Sequence, residues 1–478
     1  MGYSEIYCQI CGVSFNIGRV RRAGEPRSDA WDDSGFAGGG FVQSKHFTSH
    51  DCGPGCMVTP RESDDITDES YGEGYEDPRH SSQAGRGIRF EGSDEVFYPE
   101  CPDPFLLSKI DSRFTGIGKT HILEHIAGPN CTGQSWCGGG YNGNNISVED
   151  MRGCNTLQCL VRKKSDWQPE DDDEEFEREG QFFLTGLSDQ MPSRDMDSPV
   201  VFPHRHDCRA PRADTYIWDE ADIDDYALPF HPTCLEVFRR ASLHRYGKID
   251  YEALVGWWHV DGVEERFDEF PRHPAVQEAS EQWWLHSPGS EWLAANSCYV
   301  VGLQNVLDSA RGGDGATGHE SQSRIGDREY PPHDVFSRLP QELRTMIVMY
   351  LDSSNIAALR IASRSFSPLP QAVFQALTLR ERPWMWEAWS SLDYSFWSST
   401  TAKELHDRAD SGVTELKGAP VSVTLLDPGK TDWLAFFRGI SVGLKNGQLK
   451  GLQNRRRIWE DCQTILDIAE DYRQQGKF

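Results

Sequence analysis

Apolar positions recur along this chain at spacings that predict distinct elements. Between residues 331 and 379, Leu339, Leu343, Met346, Ile347, Tyr350 and Leu351 follow one another at intervals of 4, 3, 1, 3 and 1, which draws one helical stripe. Ser353 or Ser354 can cap a second helix carrying Ile356, Leu359, Ile361 and Ala362. Pro368 and Pro370 interrupt it, and Val373, Phe374 and Leu377 begin a third. Three short helices in under fifty residues cannot bury all of these faces against one another, so apolar surface is left over for a partner. Residues 230–307 are aromatic and helix-like, and their paired tryptophans, Trp257-Trp258 and Trp283-Trp284, together with Trp292, read as core. Residues 420–427 (PVSVTLLD) form the clear strand candidate of the C-terminal part. From Leu452 to Tyr472, Trp459, Cys462, Leu466, Ala469 and Tyr472 share a face and predict a packed amphipathic helix.

Three stretches lack such periodicity and are rich in Gly, Ser, Arg and acidic residues: about 57–95, 165–180 and 308–329. They are expected to be poorly structured. The net charge of −27 is concentrated there, with Glu170 to Glu175 forming an unbroken acidic block. Such a charge repels phosphate backbones, so nucleic acid is not an expected partner. No apolar run reaches the ~18–20 residues of a membrane span, so a membrane is not expected either. The first residues carry no secretory pattern, which points to an intracellular, cytoplasmic or nuclear protein in which thiols or metal sites are expected rather than disulfides.

Eleven of the 13 cysteines precede residue 235. Cys8-Gln-Ile-Cys11-Gly has the two-residue gap that lets both sulfurs reach one ion, and the following glycine permits the tight turn such knuckles use. His231 and Cys234 repeat that spacing beside Pro232, where a helix is expected to start. Together Cys8, Cys11, His231 and Cys234 make a candidate structural zinc site, against the alternative of a free thiol pair and a core cysteine. Weaker ligand clusters are His46, His50, Cys52 and Cys56, and His204, His206 and Cys208. Cys131, Cys137, Cys154 and Cys159 are unevenly spaced and read as buried thiols. Enzyme signatures are only near misses: Gly116-Ile-Gly118-Lys119-Thr120 has Arg113 where a phosphate-binding loop needs its first glycine.

The order Leu-Pro, Leu, Ile, Tyr-Leu, Leu-Arg and Ser-Arg-x-Phe within 331–379 resembles the F-box of ubiquitin-ligase substrate receptors. The stretches THILEHIAGPNC (120–131), GYNGNNISVEDMRGCNTLQCLVRK (140–163), FFLTGLSDQMPSRD (182–195) and LPFHPTCLEVFRRAS (228–242) look like a recurring N-terminal region of F-box proteins from filamentous fungi. The resemblance implies a non-catalytic adaptor that docks a Skp adaptor, and through it a cullin scaffold, while its flanking parts hold an unknown protein substrate. It carries docking onto Leu339, Pro340, Leu343, Ile347, Leu351, Leu359 and Phe366. Ala357-Ala358 depart from the larger residues frequent there, and Phe366 stands where Trp is frequent. The alternative function is a zinc-stabilised interaction module acting outside ubiquitin ligases. The fold class expected is α+β and multidomain: a cysteine-containing α+β domain (1–240), an aromatic helical segment (241–307), a linker (308–330), the F-box (331–380) and a mixed C-terminal segment (381–478).

Overall fold

A computed structural model describes residues 5–31, 57–60, 88–89, 96–97, 123–126, 128, 140–165, 167–170, 173–189, 226–280, 284–311, 334–367, 369–411 and 421–478. Its strands are short: β1 (Arg19–Val20), β2 (Met57–Pro60), β3 (Ile88–Arg89), β4 (Val96–Phe97), β5 (Leu123–Ile126), β6 (Tyr141–Asn142), β7 (Gln158–Arg162), β8 (Phe182–Leu184) and β9 (Ala227–Phe230). β7 is the middle of an antiparallel sheet, pairing Leu160 with Leu184 of β8 and with Leu228 of β9. β1 pairs in parallel with β6, while β2–β5 and β3–β4 are antiparallel pairs. The helices are α1 (Glu175–Glu179), α2 (Pro232–Tyr246), α3 (Tyr251–Val263), α4 (Pro274–Ala279), α5 (Leu303–Ala310), α6 (Gln341–Met349), α7 (Ser353–Ala362), α8 (Gln371–Glu381), α9 (Ala402–Asp410), α10 (Trp433–Lys445) and α11 (Lys450–Gln474). The chain is thus a mixed helix-and-strand protein in which helices dominate. Among the described residues, no helix is long and apolar enough to cross a membrane.

The long helix α11 organises the centre. Its apolar stripe buries Leu452, Ile458, Trp459, Cys462, Ile465, Leu466, Ala469 and Tyr472, against α2 and α3. Trp257, Trp258 and Trp284 are buried as their pairing predicts, while Trp283 lies outside the described residues. Arg455 also points inward from α11. Its guanidinium lies 3.7 Å from the centre of the Trp386 ring, which Arg240 of α2 approaches at 4.7 Å, and it binds the Glu387 carboxylate at 2.9 and 3.0 Å. A cation on an aromatic ring and a paired, buried carboxylate keep these charges satisfied out of water.

Two expectations need correcting. Residues 420–427 do not form a strand: among the described ones, Val421 makes an isolated bridge to Tyr394, and no neighbouring segment continues the pairing. Alternation alone cannot supply a ladder partner. The acidic stretch 165–180 is partly ordered, because Glu177 is buried and accepts hydrogen bonds from the Leu184 and Glu174 amides at 2.7 and 2.8 Å. Glu174 also pairs with Arg239 of α2 at 3.0 Å. Among the described residues, the buried side chains from Ile6 to Tyr472 form one connected core.

Residues 334–381 do fold as a compact three-helix unit. Asp334 fastens its start to the far end of α7, accepting from the hydroxyls of Ser363 at 2.7 and 2.9 Å and Ser365 at 2.7 Å. The cap of α7 is Asp352, which accepts from the Asn355 amide at 2.7 Å, rather than either serine. A carboxylate one residue earlier simply makes the stronger cap. Val348, Ile356, Phe366, Val373, Phe374 and Leu377 fill the interior. α8 then packs on α10, with Phe374 facing Phe437 at 6.3 Å, and so joins the unit to the rest.

Candidate metal centre

Residues 7–14 turn back on themselves: Tyr7 bridges Ser14, the Cys8 amide donates to the Val13 carbonyl at 3.0 Å, and the Gly12 amide donates to the Cys8 carbonyl at 2.7 Å. Gly12 has φ +70°, a left-handed conformation natural to glycine, and Arg272 and Val276 crowd its α-carbon. The Gln9 amide donates to the Pro229 carbonyl at 2.9 Å, which seats this knuckle on the end of β9. β9 leads into His231, the residue before α2, and Pro232 occupies the first helical turn where its missing N–H costs nothing.

These local structures bring Cys8, Cys11, His231 and Cys234 together. All four are buried, and one ligand atom from each lies within 4.8 Å of the others. The Cys11 and Cys234 sulfurs are 3.6 and 3.8 Å from His231 Nδ1. His231 Nε2 is 2.9 Å from the Cys154 carbonyl, an acceptor for an Nε2–H, and Nδ1 faces the sulfurs. The His231 amide points at Cys8 Sγ at 3.4 Å. The sequence-derived set is therefore assembled as a cluster that can hold a metal ion.

Electrostatics agrees with the geometry. Burial by itself would raise the Cys11 thiol, but hydrogen bonds from Cys234, Cys8 and His231 outweigh it and hold it well below its ordinary value. Burial would lower His231, yet the neighbouring Cys8 and Cys11 sulfurs keep it up at about 10. Cys234 is raised, by burial first and then by Cys11 and Cys8.

Sequence reasoning missed the shell around the ligands. Arg457 of α11 donates to the Cys11 carbonyl at 2.6 Å, and Arg272 donates to the Ile10 and Gln9 carbonyls at 2.6 and 2.5 Å. Asp461 lies 3.1 Å from Arg457 and 3.5 Å from Arg272. The signal available was a pair of arginines, Arg455 and Arg457, flanking the apolar stripe of a helix otherwise read as packed. His46, His50, Cys52, Cys56, Cys131, Cys137, His204, His206 and Cys208 lie outside the described residues, as does the 116–120 near miss. Cys159 is buried, and Cys154 is half-buried, contributing its carbonyl rather than its sulfur.

The residues expected to dock an adaptor divide by exposure. Pro340, Leu343 and Ile347 are exposed, and Leu339, Leu351 and Leu359 are half-buried. Phe366 is a correction. The short turn Arg364–Phe366 carries its ring inward onto Phe336 at 5.1 Å, leaving it 2% exposed and closing the unit's own core. Met346, Tyr350 and Ile361, at 56, 85 and 87%, are more exposed than Leu343 and Ile347 at 45 and 37%. No protein-family model, no curated protein and no solved structure matches this chain.

Proposed function

We propose that this chain is the substrate-recognition subunit of a Skp–cullin–F-box ubiquitin ligase, acting in the cytoplasm or nucleus without an active site of its own. The observation that carries the reading is the apolar stripe of α6: Leu343, Met346, Ile347 and Tyr350, spaced one helical turn apart and exposed on a small unit that Asp334 clasps shut. Water-exposed apolar side chains in that register are costly unless a partner covers them. Docking the unit on a Skp adaptor would bring a substrate held elsewhere on the chain near the charged conjugating enzyme, raising the effective concentration of its lysine.

The Cys8, Cys11, His231, Cys234 cluster would hold one structural zinc. Tetrahedral zinc with bonds of about 2.3 Å to sulfur and 2.0–2.1 Å to nitrogen places S and N about 3.6 Å apart. The Cys11 and Cys234 distances of 3.6 and 3.8 Å to Nδ1 match that spacing. Four protein ligands leave no position for substrate or activated water, so the ion would hold the fold rather than react.

The test is co-purification of the full chain with a Skp adaptor, and of a Leu343→Ala, Ile347→Ala variant. Truncating two anchors of a desolvated contact should weaken binding by about 2 kcal/mol or more, roughly thirtyfold. Unchanged binding, or no binding by the parent chain, would sink the reading. The packing of α8 on α10 favours a second reading, in which the three helices are a fold element of a zinc-stabilised interaction module acting outside ubiquitin ligases. That reading predicts no adaptor binding at all.

A further inference from the structure

A cleft of about 540 Å³, which takes no lining from the three-helix unit, opens between residues 298–307 and the segment that follows Val421. Volumes of this size suit a bound side chain or small segment. Its apolar wall includes Val300, Val301 and Val423. Along its side, residues 422–427 run without turn or bend, anchored at Val421 by reciprocal hydrogen bonds with Tyr394 of 2.9 and 3.2 Å. The next bonded amide along is that of Leu426, which donates to the Glu387 carbonyl at 2.8 Å, so the N–H and C=O groups of Ser422 and Thr424 lie between two anchors. No backbone hydrogen bond occupies them among the described residues. An open row of donors and acceptors beside an apolar cleft is a template for one more extended backbone.

The charges say what that backbone should carry. Arg152 in the lining is neutralised by Glu404 at 2.8 Å, and Glu387 is neutralised by Arg455 at 2.9 Å. Glu149 is exposed and makes no ion pair among the described residues, so the charge left over in the cleft is negative, on a chain of net charge −27. A cationic side chain is attracted there both locally and by the long-range field. We infer that this cleft binds an extended peptide segment of another protein by pairing with Ser422–Thr424, seating an apolar side chain against Val300 and Val301 and a Lys or Arg near Glu149. The site stands without the adaptor reading; if that reading holds, it is a seat for the substrate.

The experiment pans a phage-displayed library of random linear peptides on the full chain. Enriched peptides are then titrated against Thr424→Pro, which removes an N–H that makes no backbone hydrogen bond within the described chain, and against Glu149→Lys and Val301→Arg at exposed positions. The expected result is a shared apolar-plus-basic pattern, with affinity reduced about tenfold or more by each variant at an unchanged melting temperature. If Thr424→Pro fails to fold, the two surface variants decide the outcome. No enrichment, acidic peptides, or equal binding by the variants overturns the proposal. So does a parent chain that dimerises through the same segment, seen as a doubled mass that Thr424→Pro abolishes. Adaptor binding is scored separately, and neither result alters the other.

Discussion

His259 shows how one buried side chain contributes to the pH dependence of the fold. It is buried on α3, and burial first, with the Arg162 charge second, pushes its imidazole down from the ordinary 6.5 to about 3. The unfolded chain accepts a proton near pH 6.5 that the folded chain refuses. Its contribution is therefore complete above that pH and is lost as the pH falls towards 3. Denaturant unfolding followed across this range should show His259→Gln flattening the acid limb, by on the order of 3 kcal/mol near pH 4 relative to its neutral-pH offset. An unchanged slope would mean the ring is solvated. At this scale the cluster that can hold a metal ion was legible, because two residues between candidate ligands is a constraint of coordination chemistry that the sequence displays directly. Arg272 and Arg457 were not, since they act through backbone carbonyls, which leave no mark in residue identity.

Among elements, α11 was the easiest to foresee, because a single face of Trp459, Cys462, Leu466, Ala469 and Tyr472 has only one helical solution. The acidic stretch and residues 420–427 misled for a common reason. Their outcome depends on distant partners, Arg239 and the Leu184 amide of β8 in one case and a missing ladder neighbour in the other. The start of α11 carries a test of close packing. A β-carbon added at Gly451 would strike the Asn296 carbonyl oxygen, a backbone atom that cannot swing aside. In a free helix Gly→Ala gains about 1 kcal/mol. Here Gly451→Ala is expected to cost about 1–3 kcal/mol instead, because overpacking against backbone forces the helix to shift. Thermal denaturation supplies the sign, and a stabilised variant would show that α11 is seated differently.

For the molecule as a whole, one connected core means that disturbing the metal centre should be felt far along the chain, yet not everywhere. With zinc held in that cluster, as proposed, a chelator at neutral pH is expected to lower the melting temperature and to raise hydrogen exchange in residues 5–20, 227–246 and 450–474, the segments bonded to or through the knuckle. Residues 334–367, held by the Asp334 clasp, should keep their protection. Uniform loss of protection would place the three helices under the control of the ion, and no change would remove it from the fold. The separation of the ligands has a further consequence for biosynthesis. Cys11 and His231 are 220 residues apart, and Cys11 and the clamping Arg457 are 446 apart. At roughly 5–20 residues per second, the first two thiols leave the ribosome about 10–45 s before the second pair, and α11 follows about as long again afterwards. During that wait a nascent chain presents an unfilled dithiol to whatever binds or oxidises thiols in its surroundings, so the yield of correctly assembled protein should rise when translation is fast or metal supply is buffered.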